Sequence, residues 1–167
     1  MWALLLACAP EVGDPPVTPP ELPSRVSAEA VDTAPERISV TRTSATGRSV
    51  VAGWEPEALG SRLLAVEADG RSRTLVDASW NADRPALSED GALVAFVSGR
   101  SGIASVWVVP FEGGEPRQLT NVGMRRVKGQ PGAPEGFVPP PVDDSLRFDG
   151  DALVWSGPER AHRVELP

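Results

Sequence analysis

The sequence predicts an all-β fold built from repeated four-stranded antiparallel units, and three observations predict it. The stretches LVAFV (93–97) and VWVV (106–109) are short, apolar and rich in β-branched residues, and Gly-bearing turns fence both. The chain also aligns with itself on a shift of 44 residues. Finally, 18 Pro and 16 Gly make up about a fifth of its 167 residues, a turn-rich composition.

The repeat is read from many positions in one frame. A shift of 44 places Ser44 on Ser88, Gly47 on Gly91, Ser61 on Ser105 and Gly70 on Gly114, then Arg73 on Arg117 and Leu75 on Leu119. Between these marks, Val50-Val51 falls on Val94-Ala95, and Leu63-Leu64-Ala65 on Trp107-Val108-Val109. A period of 40–45 residues suits a four-stranded propeller blade.

The clearest unit runs from Arg84 to Thr120. RPALS is its first strand, and Glu89-Asp90-Gly91 turns the chain into a second, Leu93–Ser98. Gly99–Gly102 turns it again into a third, Ser105–Val109. Glu112-Gly113-Gly114 leads to a fourth, Pro116–Thr120, with positive φ available at the glycines. A strand with one wet face alternates apolar and polar residues. LVAFV and VWVV do not, so both of their faces are expected to be dry, as between two neighbouring blades. Their length, β-branching and flanking glycines exclude a buried helix.

The predicted fold is therefore a partial or oligomer-completed β-propeller of about three four-stranded antiparallel blades. The units are residues 36–78, 79–120 and 140–167, with a loop insertion at 121–139. In the third unit, Asp149-Gly150 repeats the turn, Trp155 takes the place of Phe96, and HRVELP (162–167) resembles SVWVVP (105–110). That unit lacks a fourth strand. RVSAEAV (25–31) is a candidate to close it. An open arc of three blades is expected to expose apolar end faces. Two chains pairing into a six-bladed ring would cover them; the alternative is a fragment of a longer propeller or a minimal arc capped by loops.

The run RPALSEDGALVAFVSGRSGIASVWVVPFEGGEPRQLTN resembles the WD40-like repeat of TolB-type β-propellers. Pro85, Ser88, Asp90-Gly91, Phe96 with Ser98, Gly113-Gly114 and Arg117-Gln118-Leu119-Thr120 carry the resemblance, while Glu89 stands where that family usually has Pro. The resemblance implies a periplasmic protein-binding or scaffolding propeller. It implies, alternatively, an accessory propeller associated with an envelope hydrolase or peptidase. It brings no catalytic residues.

The N-terminus, MWALLLAC, is a short apolar run ending in Leu5-Leu6-Ala7-Cys8. It resembles the lipobox of bacterial lipoproteins, in which a small residue precedes the Cys. The resemblance implies a signal peptide at 1–7, cleavage before Cys8 and lipidation of its sulfur. No basic residue precedes the run; the first is Arg25. Ala9 follows the Cys, which by family analogy points to the outer membrane, facing the periplasm. Residues 9–23 hold six Pro and three acidic residues and read as an extended tether. At ~3.1 Å per residue it spans roughly 45 Å. The propeller repeats are expected over 24–167.

Composition excludes several function classes. The net charge of −7 makes nucleic acid an unsuitable partner and leaves the lipid anchor as the contact with membrane. One Cys gives no internal disulfide, and one His gives no His-rich metal site. No G-x-S-x-G elbow accompanies His162: Gly99-Arg100-Ser101-Gly102-Ile103 breaks that pattern at its last position. Asp143, Asp144, Asp149 and Asp151 lack EF-hand spacing and read as turn residues. Trp107 and Trp155 read as core, and Trp54 and Trp80 as half-exposed strand-end residues. No catalytic residue, metal or cofactor is expected.

What remains is the insertion NVGMRRVKGQPGAPEGFVPPP (121–141). A connection this long is unusual in a compact domain and is often functional. It carries Arg125, Arg126 and Lys128, the basic cluster of an acidic chain, followed by Phe137. These four are the candidate contact for a protein partner in the envelope.

Overall fold

The computed structural model describes residues 37–124 and 132–166. The candidate lipidation site Cys8, the tether, the candidate strand 25–31 and the cluster Arg125, Arg126 and Lys128 lie outside the described residues. The first sheet is a meander of β1 (Arg37–Thr43), β2 (Ser49–Glu55), β3 (Gly60–Val66) and β4 (Ser72–Val76). The second joins β5 (Asp83–Leu87), β6 (Leu93–Ser98), β7 (Ser105–Pro110) and β8 (Arg117–Gln118) in the same order. The third holds β9 (Arg147–Asp149), β10 (Ala152–Ser156) and β11 (Ala161–Glu165), with β10 central. All neighbouring strands are antiparallel. The fold is all-β, three antiparallel sheets forming part of a propeller.

Local chemistry sets the turns. At the second sheet's first turn, the Ser88 hydroxyl donates to Asp90 Oδ1 at 2.6 Å and accepts the amides of Ala92 and Leu93 at 3.0 and 2.9 Å. The Ser88 hydroxyl, and then the Ala92 amide, hold the Asp90 carboxyl below its ordinary range. Gly91 sits at φ 71°, and a Cβ there would lie 2.7 Å from Thr46 Oγ1 of the preceding unit's equivalent turn. The Ala45 amide donates to Glu89 O at 3.3 Å, so equivalent turns of neighbouring sheets stack.

The middle strands of the second sheet are largely buried on both faces, as their sequence requires. Val94 and Phe96 of β6, with Trp107 and Val109 of β7, pack on Val50, Ala52, Leu63 and Ala65 of the first sheet. Ala95 and Val106 point the other way and pack on Leu146, Leu153 and Trp155 of the third unit. Alternate residues of the same strands thus enter two different cores. Phe96 and Trp155 are 0% and 1% exposed, so each core has a large aromatic at its centre. Truncating Phe96 to Ala costs about 3–5 kcal/mol by the usual behaviour of buried aromatics.

A 3-10 turn, Ala78–Trp80, joins the first two sheets, a feature absent from the sequence reading. Asp77 caps it, accepting the Ser79 amide at 2.8 Å, and Asn81 ends it in the left-handed region at φ 46°. Trp80 stands edge-on to Trp107 and Phe96, with centroids 5.1 and 6.1 Å away. Arg100 lies 4.5 Å over its ring. The Ser98 hydroxyl donates to Trp80 O at 2.5 Å, and Trp107 Nε1 donates to Ser98 O at 3.2 Å.

Phe111, just past β7, plugs the rim of the first joint. It is fully buried, with Arg48 and Arg73 of the first unit 4.7 and 5.2 Å from its ring centroid. Glu67 holds both arginines, at 3.2 Å from Arg48 and 2.8 Å from Arg73, and Glu112 pairs with the same two at 2.5 and 3.3 Å. Arg73 also donates to Phe111 O.

One expectation needs correction. The fourth strand of the second sheet is Arg117–Gln118, shorter than Pro116–Thr120. Thr120 instead turns its hydroxyl onto the Val106 amide at 2.9 Å, where a ladder bond would otherwise run. The end faces also carry polar residues beside apolar ones. Away from its core, the third sheet presents Arg147, Asp149, Arg163 and Glu165 beside Ala152 and Val154. Arg163 pairs there with Asp149 at 2.5 Å and Glu165 at 2.9 Å. The far face of the first sheet carries Thr41, Thr43, Ser49, Ser72 and Thr74, with Arg62–Glu55 paired at 2.6 Å. Leu64 on that face is buried, Val51 and Val66 are half-buried, and Ile38, which pairs with Gly53, is 62% exposed, so the face mixes apolar and polar residues.

Candidate functional site

The insertion leaves and rejoins the fold at a clamp. Asn121 follows β8 in the left-handed conformation, φ 55°, which asparagine tolerates better than most residues. Its buried amide donates to Ala104 O at 3.0 Å and Val138 O at 2.9 Å, and its Oδ1 accepts the Val138 amide at 2.8 Å. Gln118 braces the same corner, donating to Asn121 O at 3.0 Å and Ser105 Oγ at 3.0 Å. On the returning side, Trp155 Nε1 donates to Pro139 O at 2.9 Å. The two ends of the insertion are thus tied to each other and to both neighbouring sheets.

Phe137 is the one of the four candidate contacts within the described residues. It is half-buried, its amide donating to Pro134 O at 3.1 Å in a turn. It walls a cleft of about 380 Å³ with Gly102, Ile103 and Ala104 from the β6–β7 turn and Gly132, Ala133 and Pro134 from the insertion. These walls bear no ionisable side chain. Among the described residues, the cleft is therefore lined to seat an apolar side chain.

The other residues weighed from sequence have structural roles. His162 stacks on Trp155, ring centroids 5.4 Å apart at 23°, and lies against Gly157, where an added Cβ would be 2.5 Å from Nε2. Ser101 donates its hydroxyl to Ile103 O at 3.2 Å. Asp143 accepts the Ser145 amide at 3.1 Å, and hydrogen bonds from Ser145 hold its carboxyl below the ordinary range. Asp144 faces Arg42 at 3.8 Å and Asp149 faces Arg163 at 2.5 Å. Trp107 and Trp155 are buried, Trp80 half-buried and Trp54 36% exposed.

No protein-family profile and no curated protein matches the chain. Among solved structures, it is similar to a protein described as a TolB from Agrobacterium tumefaciens. The identity is 20% over 53% of this chain and 32% of the other, with TM-score 0.45. It is also similar to the tricorn protease, at 16% identity over 77% of this chain and 12% of the other, TM-score 0.45. The β-propeller domain of the Trilobed protease from Pyrococcus furiosus matches at 15% identity over 73% and 35%, TM-score 0.43. The matches span about a third or less of each of those chains. The fold described above stands on the chain's own sheets and their packing.

Asn121 and Phe111 were both missed in the sequence. For Asn121 the available signal was an Asn-x-Gly step directly after the last strand of a repeat. Phe111 gave less, since it reads as the first residue of a Gly-rich turn.

Proposed function

We propose that this protein is an envelope-anchored, non-catalytic binding or scaffolding module. In this reading Cys8 carries the lipid and residues 9–23 hold the propeller arc away from an outer-membrane surface facing the periplasm. The insertion at 121–139 then meets a protein partner through Arg125, Arg126, Lys128 and Phe137. The observation that carries the reading is the Asn121–Val138 clamp. Three part-buried hydrogen bonds fix the neck of the insertion, so its tip is presented from a defined place on the arc. Among the described residues, no helix is long and apolar enough to cross a membrane.

Two measurements test it. Incorporation of a labelled fatty acid should vanish on Cys8→Ala. Capture of an envelope partner by the purified chain should fall when Arg125, Arg126 and Lys128 are changed to Ser, and again with Phe137→Ala. Unchanged capture in both variants would remove the loop from the proposal. A hydrolase among the captured proteins would identify the arc as an accessory propeller. Closure of a six-bladed ring by a second copy is the competing assembly. It would bring together end faces that mix apolar and charged residues, a contact in part sensitive to salt.

A further inference from the structure

The two joints between sheets are built to one plan and filled differently. At the first joint, the residue after β7 is Phe111, whose amide donates to Ala92 O at 2.8 Å. At the second, the residue after β11 is Leu166, whose amide donates to Asp151 O at 2.8 Å. The strand registers agree: Pro110 pairs with Leu93 as Glu165 pairs with Ala152. Leu166 is therefore the structural counterpart of Phe111. Arg117 is the counterpart of Arg73 by the 44-residue repeat.

The filling fails to match. Phe111 is fully buried between two arginines, whereas Leu166 is half-buried beside a cleft of about 280 Å³. Leu93, Val108, Val109, Pro110 and Leu166 supply its apolar walls, and Glu115 and Arg117 its rim. A cavity of about 150 Å³ is enough to hold a benzene ring. Glu67 and Glu112 fix Arg73, but Arg117 is exposed and makes no ion pair among the described residues. Its guanidinium is available to cover a ring.

We propose that this cleft is a binding slot for an aromatic side chain of a partner polypeptide, seated against Arg117 as Phe111 is seated against Arg73. The chain itself shows what such a slot accepts. The occupant extends an interface already formed between the second and third sheets. It brings a ring whose negative face complements a cation, and aromatic anchors in such pockets dominate binding energy at protein interfaces. The slot is separate from the insertion, so its fate is independent of the loop reading.

The test titrates N-acetyl-L-phenylalanine amide into the full chain, followed by amide chemical shifts. Saturable shifts are expected at Leu93, Val108, Arg117 and Leu166, with Kd on the order of 1 mM for a ligand of this size. N-acetyl-L-alanine amide should leave those signals in place. Leu166→Phe fills the slot from within and should abolish the shifts. Arg117→Ala should weaken binding roughly two- to fivefold, the scale of an exposed cation–π contact. The absence of saturable shifts up to roughly 10 mM, ten times the expected Kd, would overturn the proposal. So would undiminished binding by Leu166→Phe. If that variant does not fold, Arg117→Ala decides, and unchanged affinity overturns the slot.

Discussion

Replacing Asn121 with alanine removes three part-buried hydrogen bonds at once. Ala104 O, Val138 O and the Val138 amide each lose the partner described above. Net hydrogen bonds of this kind contribute about 1 kcal/mol each, and unsatisfied buried groups cost somewhat more, so their loss should cost about 3 kcal/mol. Alanine must also hold φ 55°, a strain of about 1 kcal/mol for a residue with a Cβ and no local hydrogen bond. The total for Asn121→Ala is about 4 kcal/mol. Asn121→Gly keeps the backbone unstrained and should cost about 3 kcal/mol. Urea unfolding measures both, and hydrogen exchange at Val138 reports whether the neck opens on its own. Protection of the Val138 amide should fall in both variants, ahead of protection in β6 and β7. A loss under about 1 kcal/mol in Asn121→Ala, with Val138 protection intact, would show that the clamp does not hold the insertion.

Three further outcomes follow from packing and charge. Gly60→Ala should destabilise by more than about 2 kcal/mol, since even an ordinary overpacked site costs 1–3 kcal/mol. Its Cβ would fall 2.1 Å from Ala78 O, a backbone atom of the 3-10 turn, and thermal unfolding reads the loss. The Glu67 carboxyl lies below its ordinary value near 4.5, chiefly through the hydrogen bond from Arg73. Its contribution is therefore complete above that value and lost as pH falls through the lowered one, so Glu67→Gln should flatten the acid limb of a stability–pH curve. An acid limb identical to that of the unaltered chain would refute this. Light scattering of the chain at micromolar concentration should give the monomer mass, because polar and charged residues interrupt the apolar ones on both described end faces; a dimer stable in high salt would contradict it.

The repeat was legible because the same physics acts on each copy. A strand between two sheets must be apolar at every position, and a tight turn into it must offer positive φ. LVAFV, VWVV and the glycines state those needs locally, and the strands of the second unit begin and end close to the places read from sequence. The fourth strand was misjudged for a reason outside that rule. Thr120 is compatible with a strand, and its hydroxyl's preference for the Val106 amide depends on where β7 lies. The end faces carry more polar residues than the repeat alone suggests. Alternation in AHRVE (161–165) and the polar outer residues of β1 and β4 were visible, but which side meets a neighbour depends on the order of the sheets.

The candidate sites divide along the same line. A repeat constrains the backbone bonds that every joint shares, so Phe111 and Leu166 keep equivalent amide partners. It does not constrain how full a joint must be. At the first joint, Glu67 and Glu112 set two arginines around a ring, and the joint is closed. At the second, Leu93, Val108, Val109 and Pro110 wall the slot, Glu115 and Arg117 rim it, and Arg117 makes no ion pair among the described residues. The conserved backbone plan with different side chains leaves a slot whose shape and charge are already those of an aromatic site. The insertion is the complementary case: added residues interrupt the repeat, and one asparagine at a conformation few residues accept returns the chain to its frame. In both places the departures from the repeat, more than the repeat, carry the proposed contacts with a partner.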